Sequence, residues 1–388
     1  MPKVNKGRMK VVVFGMCGLM FGSILIGCQI PANDSIRILG NYLIHSETKY
    51  DYFEKNHWMT AMGVLPSAFQ RTDGELTGAV IVETQAETSP NQEEDYLQLI
   101  NQENGNVEVS SPGESYKEEE EVVAAQNVKV KKNSMVEELK TNKSAFYLLQ
   151  NFYIIDSTTS VDQSIFKVDK LIKKDISLKK SSGKKILIYH THAASEGFID
   201  SKGKSSEDGI VAIGGYLTKI LKEVYGYEVI HDTTQYDIVN GIIDRNKAYT
   251  AAYKGISALL EKDKDIAVVI DLHRDGVGKN VHTYTKVDGK QAAQVMFFNG
   301  LSRNKNGDIA YLKNDNLEDN LAFSLQLKMK AMELYPDFTR PIYLKGYRYN
   351  LHLAKRSLLI ELGNQNNTVQ EAKNAMPPLA KVLDSVLR

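Results

Sequence analysis

The feature that most constrains this chain is a run of short segments, apolar on both faces, that alternate with helical segments from Ile186 to Leu387. Ile186 to Tyr189, Tyr227 to Ile230, Ile266 to Leu272, Ala293 to Phe298 and Leu358 to Leu362 read as strands. Between and after them, Ile210 to Tyr225, Lys247 to Leu260, Leu317 to Leu334 and Val369 to Leu387 carry apolar residues at helical spacing. A strand without a polar face must be covered on both sides, so the pattern predicts an α/β fold with a mostly parallel central sheet flanked by helices.

In open α/β sheets, sites form beyond the carboxyl ends of the strands. Three of the predicted strands end in titratable residues there: Tyr189-His190-Thr191-His192 with Glu196 following, Asp271-Leu272-His273-Arg274-Asp275, and Glu361-Leu362-Gly363-Asn364. Alternation along a strand places His190 with His192, and Asp271 with His273. Two histidines and a carboxylate from separate segments make an open tetrahedral zinc site that leaves a position for water. The residues are therefore assigned as His192, Glu196 and His273 for the metal and Glu361 as general acid/base. His190 competes with His192 as ligand, or orients its neighbour's ring. Asp271 is assigned to a supporting or structural role. His231-Asp232 ends another strand at this edge and is read mainly as packing, and His45, His57, His282 and His352 are given no role. Each residue alone is more often an ordinary strand terminus; only their joint placement at one edge argues for chemistry.

The rest of the chain bounds the setting. Lys3, Lys6, Arg8 and Lys10 precede an unbroken apolar run from Val11 to Gly27, which predicts an anchor with its basic end in the cytoplasm and the remainder outside. The run suits a retained membrane helix; Leu25-Ile26-Gly27-Cys28 also resembles a lipoprotein processing site, and a soluble secreted product is the third option. Both cysteines, Cys17 and Cys28, lie in this segment, so the exported part has no disulfide framework, thiol nucleophile or thiolate metal site. Forty-eight basic residues balance 48 acidic ones, which gives no general footprint for nucleic acid. The segment from Glu83 to about Lys132, with the run Glu118 to Glu121, has too little apolar content to offset chain entropy and reads as an acidic spacer. The predicted organisation is an anchor (1–30), a juxtamembrane region (31–82), a disordered linker (83–140), a lead-in segment (141–180) and a catalytic domain (181–388).

The ordered motifs resemble the stage II sporulation protein P family. The resemblance rests on Ile186 to His192 with Ser195-Glu196, on Val229-Ile230-His231-Asp232-Thr233-Thr234, and on Ile270 to Asp275. Ala293 to Phe298, Leu359 to Gly363, Asn367-Thr368 and Glu371-Ala372 extend it, so it covers roughly Phe146 to the C-terminus. It implies the fold of zinc-dependent N-acetylmuramoyl-L-alanine amidases, a cell-wall hydrolase that cuts the amide between N-acetylmuramic acid and L-alanine, and a second activity on stem-peptide cross-links. It also implies a role in degrading septal peptidoglycan during engulfment, with stage II sporulation proteins D and M as partners. One departure stands out: Glu196 follows His192 one position later than the family spacing, which leaves Glu207, at the start of the next predicted helix, as a competing ligand. Two other classes remain, a catalytically silent wall-binding scaffold with this fold and a zinc peptidase acting on other amides. The chain has no HExxH helix, the signature of the commoner zinc peptidases.

Overall fold

The computed structural model describes residues 128–178 and 183–388. The expected anchor and juxtamembrane region, and the linker as far as residue 127, lie outside the described residues. Among the described residues no helix is long and apolar enough to cross a membrane.

The central sheet has seven strands: β1 (Tyr153–Ile155), β2 (Lys185–Tyr189), β3 (Glu228–His231), β4 (Ile266–Asp275), β5 (Val295–Gly300), β6 (Ile342–Lys345) and β7 (Arg356–Asn364). Their order across the sheet is β1-β6-β5-β7-β4-β2-β3. Every neighbouring pair is parallel except β5 with β7. The mostly parallel sheet is therefore as expected, but β5, β6 and β1 run against the other four strands.

The reason lies in a missed turn signal. The predicted strand Ala293 to Phe298 is broken: Lys290–Ala293 pairs back on Tyr284–Val287 as a hairpin, and β5 starts only at Val295. The hairpin turns at Asp288-Gly289, both with positive φ (51° and 79°), the conformation that Asp-Gly favours between two strands. It returns the chain to the end of the sheet where β4 finished, so β5 must run the other way.

Alternation along the strands builds two cores. Ile186, Ile188, Val268, Ile270, Leu272, Leu358 and Ile360 face one side. Helices α3 (Ile210–Glu223), α5 (Leu317–Leu334) and α6 (Val369–Leu387) cover them. Leu187, Tyr189 and Val269 face the other side, against Ala252 and Ile256 of α4 (Arg245–Lys262). Burying each such aliphatic side chain stabilises by about 1.5–3 kcal/mol. One face thus carries three helices, the other a single long helix and loops. That thinner face holds the candidate site.

Two boundaries differ from expectation. Ser134–Asn142, assigned to the end of the linker and the start of the lead-in, is a helix (α1). Asn133 caps it, and Val136 and Leu139 are fully buried at i, i+3 spacing. Average composition hid this pair, because two apolar residues suffice to dock one short amphipathic helix. The lead-in is not a separate segment either. Helix α2 (Ala145–Phe152) delivers the chain into β1, which pairs with β6 as the edge strand of the main sheet.

Several family-like residues hold the turn into α6. Thr368 and Glu371 form a reciprocal capping box, and Asn367 Nδ2 donates to the same Glu371 carboxylate at 3.0 Å. Gly363 has φ +55°, and a Cβ there would sit 2.4 Å from Asn367 Oδ1, so glycine is required at the bend.

Candidate active site

Pleat alternation on β4 puts Asp271 and His273 on the α4 side with Val269. Glu361 of β7 is the direct register partner of His273. Two neighbouring strand ends therefore set the floor of the site before any loop is considered.

The loop after β2 corrects the sequence reading. His190 and His192 do not point together, because β2 ends at Tyr189 and the chain turns. Thr191 donates to Asp271 through N (2.9 Å) and Oγ1 (2.6 Å). Ala194 N and Ser195 N each donate to the fully buried Asp237 carboxylate at 2.9 Å. These four bonds roll His192 onto the α4 side. There its ring meets Tyr249 edge-on at 5.6 Å and His273 edge-on at 5.3 Å.

Glu196 arrives beside His273, and it is 2% exposed. Its Oε1 lies 3.3 Å from His273 Nδ1 and 3.5 Å from Arg245 Nη2, and its Oε2 accepts from Arg274 N at 2.8 Å. Burial alone raises a carboxyl pKa, but the His273 ring and then Arg245 more than offset it and hold Glu196 well below the usual carboxylate range. Glu207 is exposed on the short helix Ser205–Asp208.

The two imidazoles are shifted in opposite directions. Burial first, then Arg245, pushes His192 well below the usual imidazole value, so its ring is neutral. At His273 burial again opposes the cation, but Asp271 and Glu196 outweigh it and raise the pKa. His273 Nε2 lies 2.8 Å from Asp271 Oδ1 as an ion pair, off the line of a hydrogen bond. Asp271 thus ties Thr191 and His273 together, the supporting position expected for it.

His190 remains on the opposite face. Its Nδ1 lies 2.8 Å from Leu272 O and must donate, since a carbonyl only accepts. Burial, then His231, lowers its pKa to about 4, so the ring is neutral and Nε2 accepts from His231 Nε2 at 2.9 Å. A Cβ at Gly214 of α3 would lie 2.5 Å from this ring. His190 and His231 are therefore a packed, hydrogen-bonded pair away from the site. His282 pairs with Glu371 at 2.8 Å, and His352 stacks on Tyr253.

Glu361 keeps an accessible edge, but its Oε2 is enclosed and has no hydrogen-bond partner. Burial first, then the Asp275 carboxylate, pushes its pKa up to about 8, near the working pH at which one group can both accept and give up a proton.

Whether these residues suit a metal can be judged from their donors. Among the described residues, no group of three His, Cys, Asp or Glu converges as a ready metal cluster. The chemistry fits zinc nonetheless. Both ring nitrogens of His192 are enclosed without a partner, an expensive state for a polar group with no task. The 3.3 Å between His273 Nδ1 and Glu196 Oε1 matches the edge of about 3.3–3.5 Å between two ligands of a tetrahedral zinc ion.

Sequence reasoning assigned no role to Asp237, Arg245, Tyr249 or Arg340. Asp237 shapes the loop, Arg245 binds Ser195 Oγ at 2.6 Å, and Tyr249 stacks on His273 at 6.3 Å. None of them ends a predicted strand, so no pattern singled them out.

Known proteins are similar to this chain in sequence and in fold. Stage II sporulation protein P of Bacillus subtilis (strain 168) is 25% identical over 223 residues, 54% of this chain and 53% of that protein; the chain spans about half the length of the curated relative it matches. Among solved structures, the N-acetylmuramoyl-L-alanine amidase AmiC2 of Nostoc punctiforme is similar over 53% of this chain and 96% of its own, at 9% identity and a TM-score of 0.34. The CwlD amidase from Clostridioides difficile, in complex with the GerS lipoprotein, is similar over 52% and 98%, at 13% identity and a TM-score of 0.34. The sequence model described as Stage II sporulation protein P (SpoIIP) matches residues 73–384, well over half of the chain, and the chain belongs to that family.

Proposed function

We propose that this chain is a zinc-dependent peptidoglycan hydrolase that cuts the N-acetylmuramoyl-L-alanine amide, with stem-peptide cross-links as a second class of target. Its setting is septal wall degradation during sporulation, on the outer side of the membrane that carries its anchor. Stage II sporulation proteins D and M belong to the same proposal as partners. The observation that carries the reading is the enclosed, unpartnered Oε2 of Glu361 in register with His273, beside a His192 whose two nitrogens also lack partners. Family membership supports it.

His192, Glu196 and His273 would hold the metal. When bound, zinc supplies the Lewis acidity that lets water attack an amide at neutral pH. The protein's residues do the rest. Asp271 orients His273, and Arg245 with the backbone of Arg274 fixes the two oxygens of Glu196. Glu361 takes a proton from the attacking water and delivers it to the departing nitrogen. The water oxygen bonds to the carbonyl carbon as the C–N bond breaks, leaving a carboxylate on the lactyl group and an amine on alanine.

The test is digestion of purified sacculi by the full chain, with fragments identified by mass spectrometry. Free stem peptides and peptide-free glycans are expected. Glu361→Gln should lower turnover by about 10²–10⁴-fold, and His273→Ala or a zinc chelator should lower it at least as much. Intact sacculi with zinc present, and after addition of stage II sporulation protein D, would instead identify a wall-binding scaffold. Release of amines from proteins but not from sacculi would identify a zinc peptidase.

A further inference from the structure

Arg340 precedes β6 at the site end of the sheet, and its guanidinium presents an unused edge. Its backbone N donates to Val295 O at 2.8 Å, beside the start of β5. The preceding residue is held too: Lys328 Nζ donates to Thr339 O (2.6 Å) and Thr339 Oγ1 (3.0 Å). The side chain is 7% exposed. Nη1 forms an ion pair with Asp275 Oδ2 at 2.9 Å, two residues beyond His273 on β4. Nε and Nη2 are enclosed and have no partner.

Those two nitrogens are not an arbitrary pair. Nε–H and Nη2–H point the same way along one side of the planar guanidinium, and together they are the fork that grips a carboxylate with two parallel hydrogen bonds. Asp275 uses the other end of the group and leaves this side whole. Enclosed N–H donors without acceptors are costly, so an anchored arginine with a complete empty fork calls for an acceptor. Its partner Asp275 follows His273 by two positions at the end of β4, so the fork lies at the site end of the sheet.

We propose that Arg340 is the specificity residue of this site and binds a free carboxylate of the stem peptide through Nε and Nη2. This inference rests on the peptidoglycan reading, and it names what that reading leaves open: which stem-peptide chemistry is preferred. Access requires the side chains over the fork to change rotamer, the commonest adjustment on binding. A lysine in its place keeps a charge for Asp275 but cannot form the fork.

The test compares product peptides, so that binding is read without turnover. Calorimetry of the zinc-loaded full chain with L-alanyl-D-glutamate and with its α-amidated form should show the free acid binding about 10–100-fold tighter. In Arg340→Lys the ratio of the two Kd values should fall toward 1. The matching muramoyl dipeptides, with free or amidated glutamyl carboxyl, should show the same preference in KM rather than kcat. Equal affinities in the wild type, or no measurable binding of either peptide, overturn the proposal, and neither result depends on a variant folding. A ratio unchanged in Arg340→Lys, or equal losses of turnover on both substrates, would make Arg340 a support for Asp275 instead. Carboxylate preference in binding without hydrolysis would sink the amidase reading and leave the fork standing; hydrolysis without the preference would do the reverse.

Discussion

Two histidine pairs lie on opposite faces of one sheet in this protein, and His190 and His192, one from each, are two positions apart. His190 and His231 satisfy each other and a backbone carbonyl, and helix α3 packs glycine against them. His192 and His273 meet edge-on, with both nitrogens of His192 and Nε2 of His273 lacking a hydrogen bond. The residue type is the same, and His190, His192 and His273 are all buried, with His231 half-buried. Hydrogen-bond satisfaction is what differs. A satisfied pair stabilises the fold, whereas an unsatisfied one is kept at a cost and points to a ligand.

The contrast can be broken most forcefully by exchanging the roles of the two pairs. His192→Ala is expected to abolish stoichiometric zinc binding, measured by metal analysis after gel filtration. It should also abolish the zinc-dependent rise in stability, about 2.7 kcal/mol at a hundredfold excess over Kd in the wild type. His190→Ala should keep both, yet lower the stability of the metal-free protein by about 2–4 kcal/mol in urea, because it empties a packed site and strands Leu272 O and His231 Nε2. Zinc loss in His190→Ala with unchanged stability would reverse the assignment.

A smaller effect sharpens the packed side of the comparison. Gly214→Ala drives a methyl group to 2.5 Å from the His190 ring. It should cost about 1–3 kcal/mol of stability while leaving zinc affinity unchanged, since α3 lies on the far face. Reduced zinc affinity would show that the two faces are coupled.

The last effect concerns a buried lysine, Lys328 of α5. Its Nζ is satisfied by Thr339, but no carboxylate is bonded to it, and burial lowers its pKa to about 7. In the unfolded chain it would titrate near 10.4. Between these values the unfolded state binds more protons, so this residue makes stability rise with pH from about 7 upward, by at most about 1.4 kcal/mol per pH unit. Below about pH 7 its penalty is fully present. Urea midpoints of the wild type should therefore climb relative to Lys328→Met between pH 7 and 9, and parallel curves would show that the buried amine stays charged.

Much of this protein was legible in sequence. Strands apolar on both faces fixed the layered architecture, because such strands are stable only between two covers. Alternation on β4 and the register of two parallel strands set Asp271, His273 and Glu361 together, and a period of two leaves no freedom there. The Asp288-Gly289 turn was also written in the sequence, and reading it would have reversed β5 correctly. Other decisions belonged to tertiary structure alone. Which of His190 and His192 faces the site, and whether Glu196 or Glu207 joins it, depended on where β2 ends and on Asp237, over forty positions downstream, receiving two backbone N–H groups of the loop. The unused fork of Arg340 was equally invisible, since a sequence shows a donor but not whether its partner is present. Periodic elements are governed by local pattern. Loop direction and hydrogen-bond satisfaction are set by contacts between residues far apart in the chain, and only the folded molecule decides them.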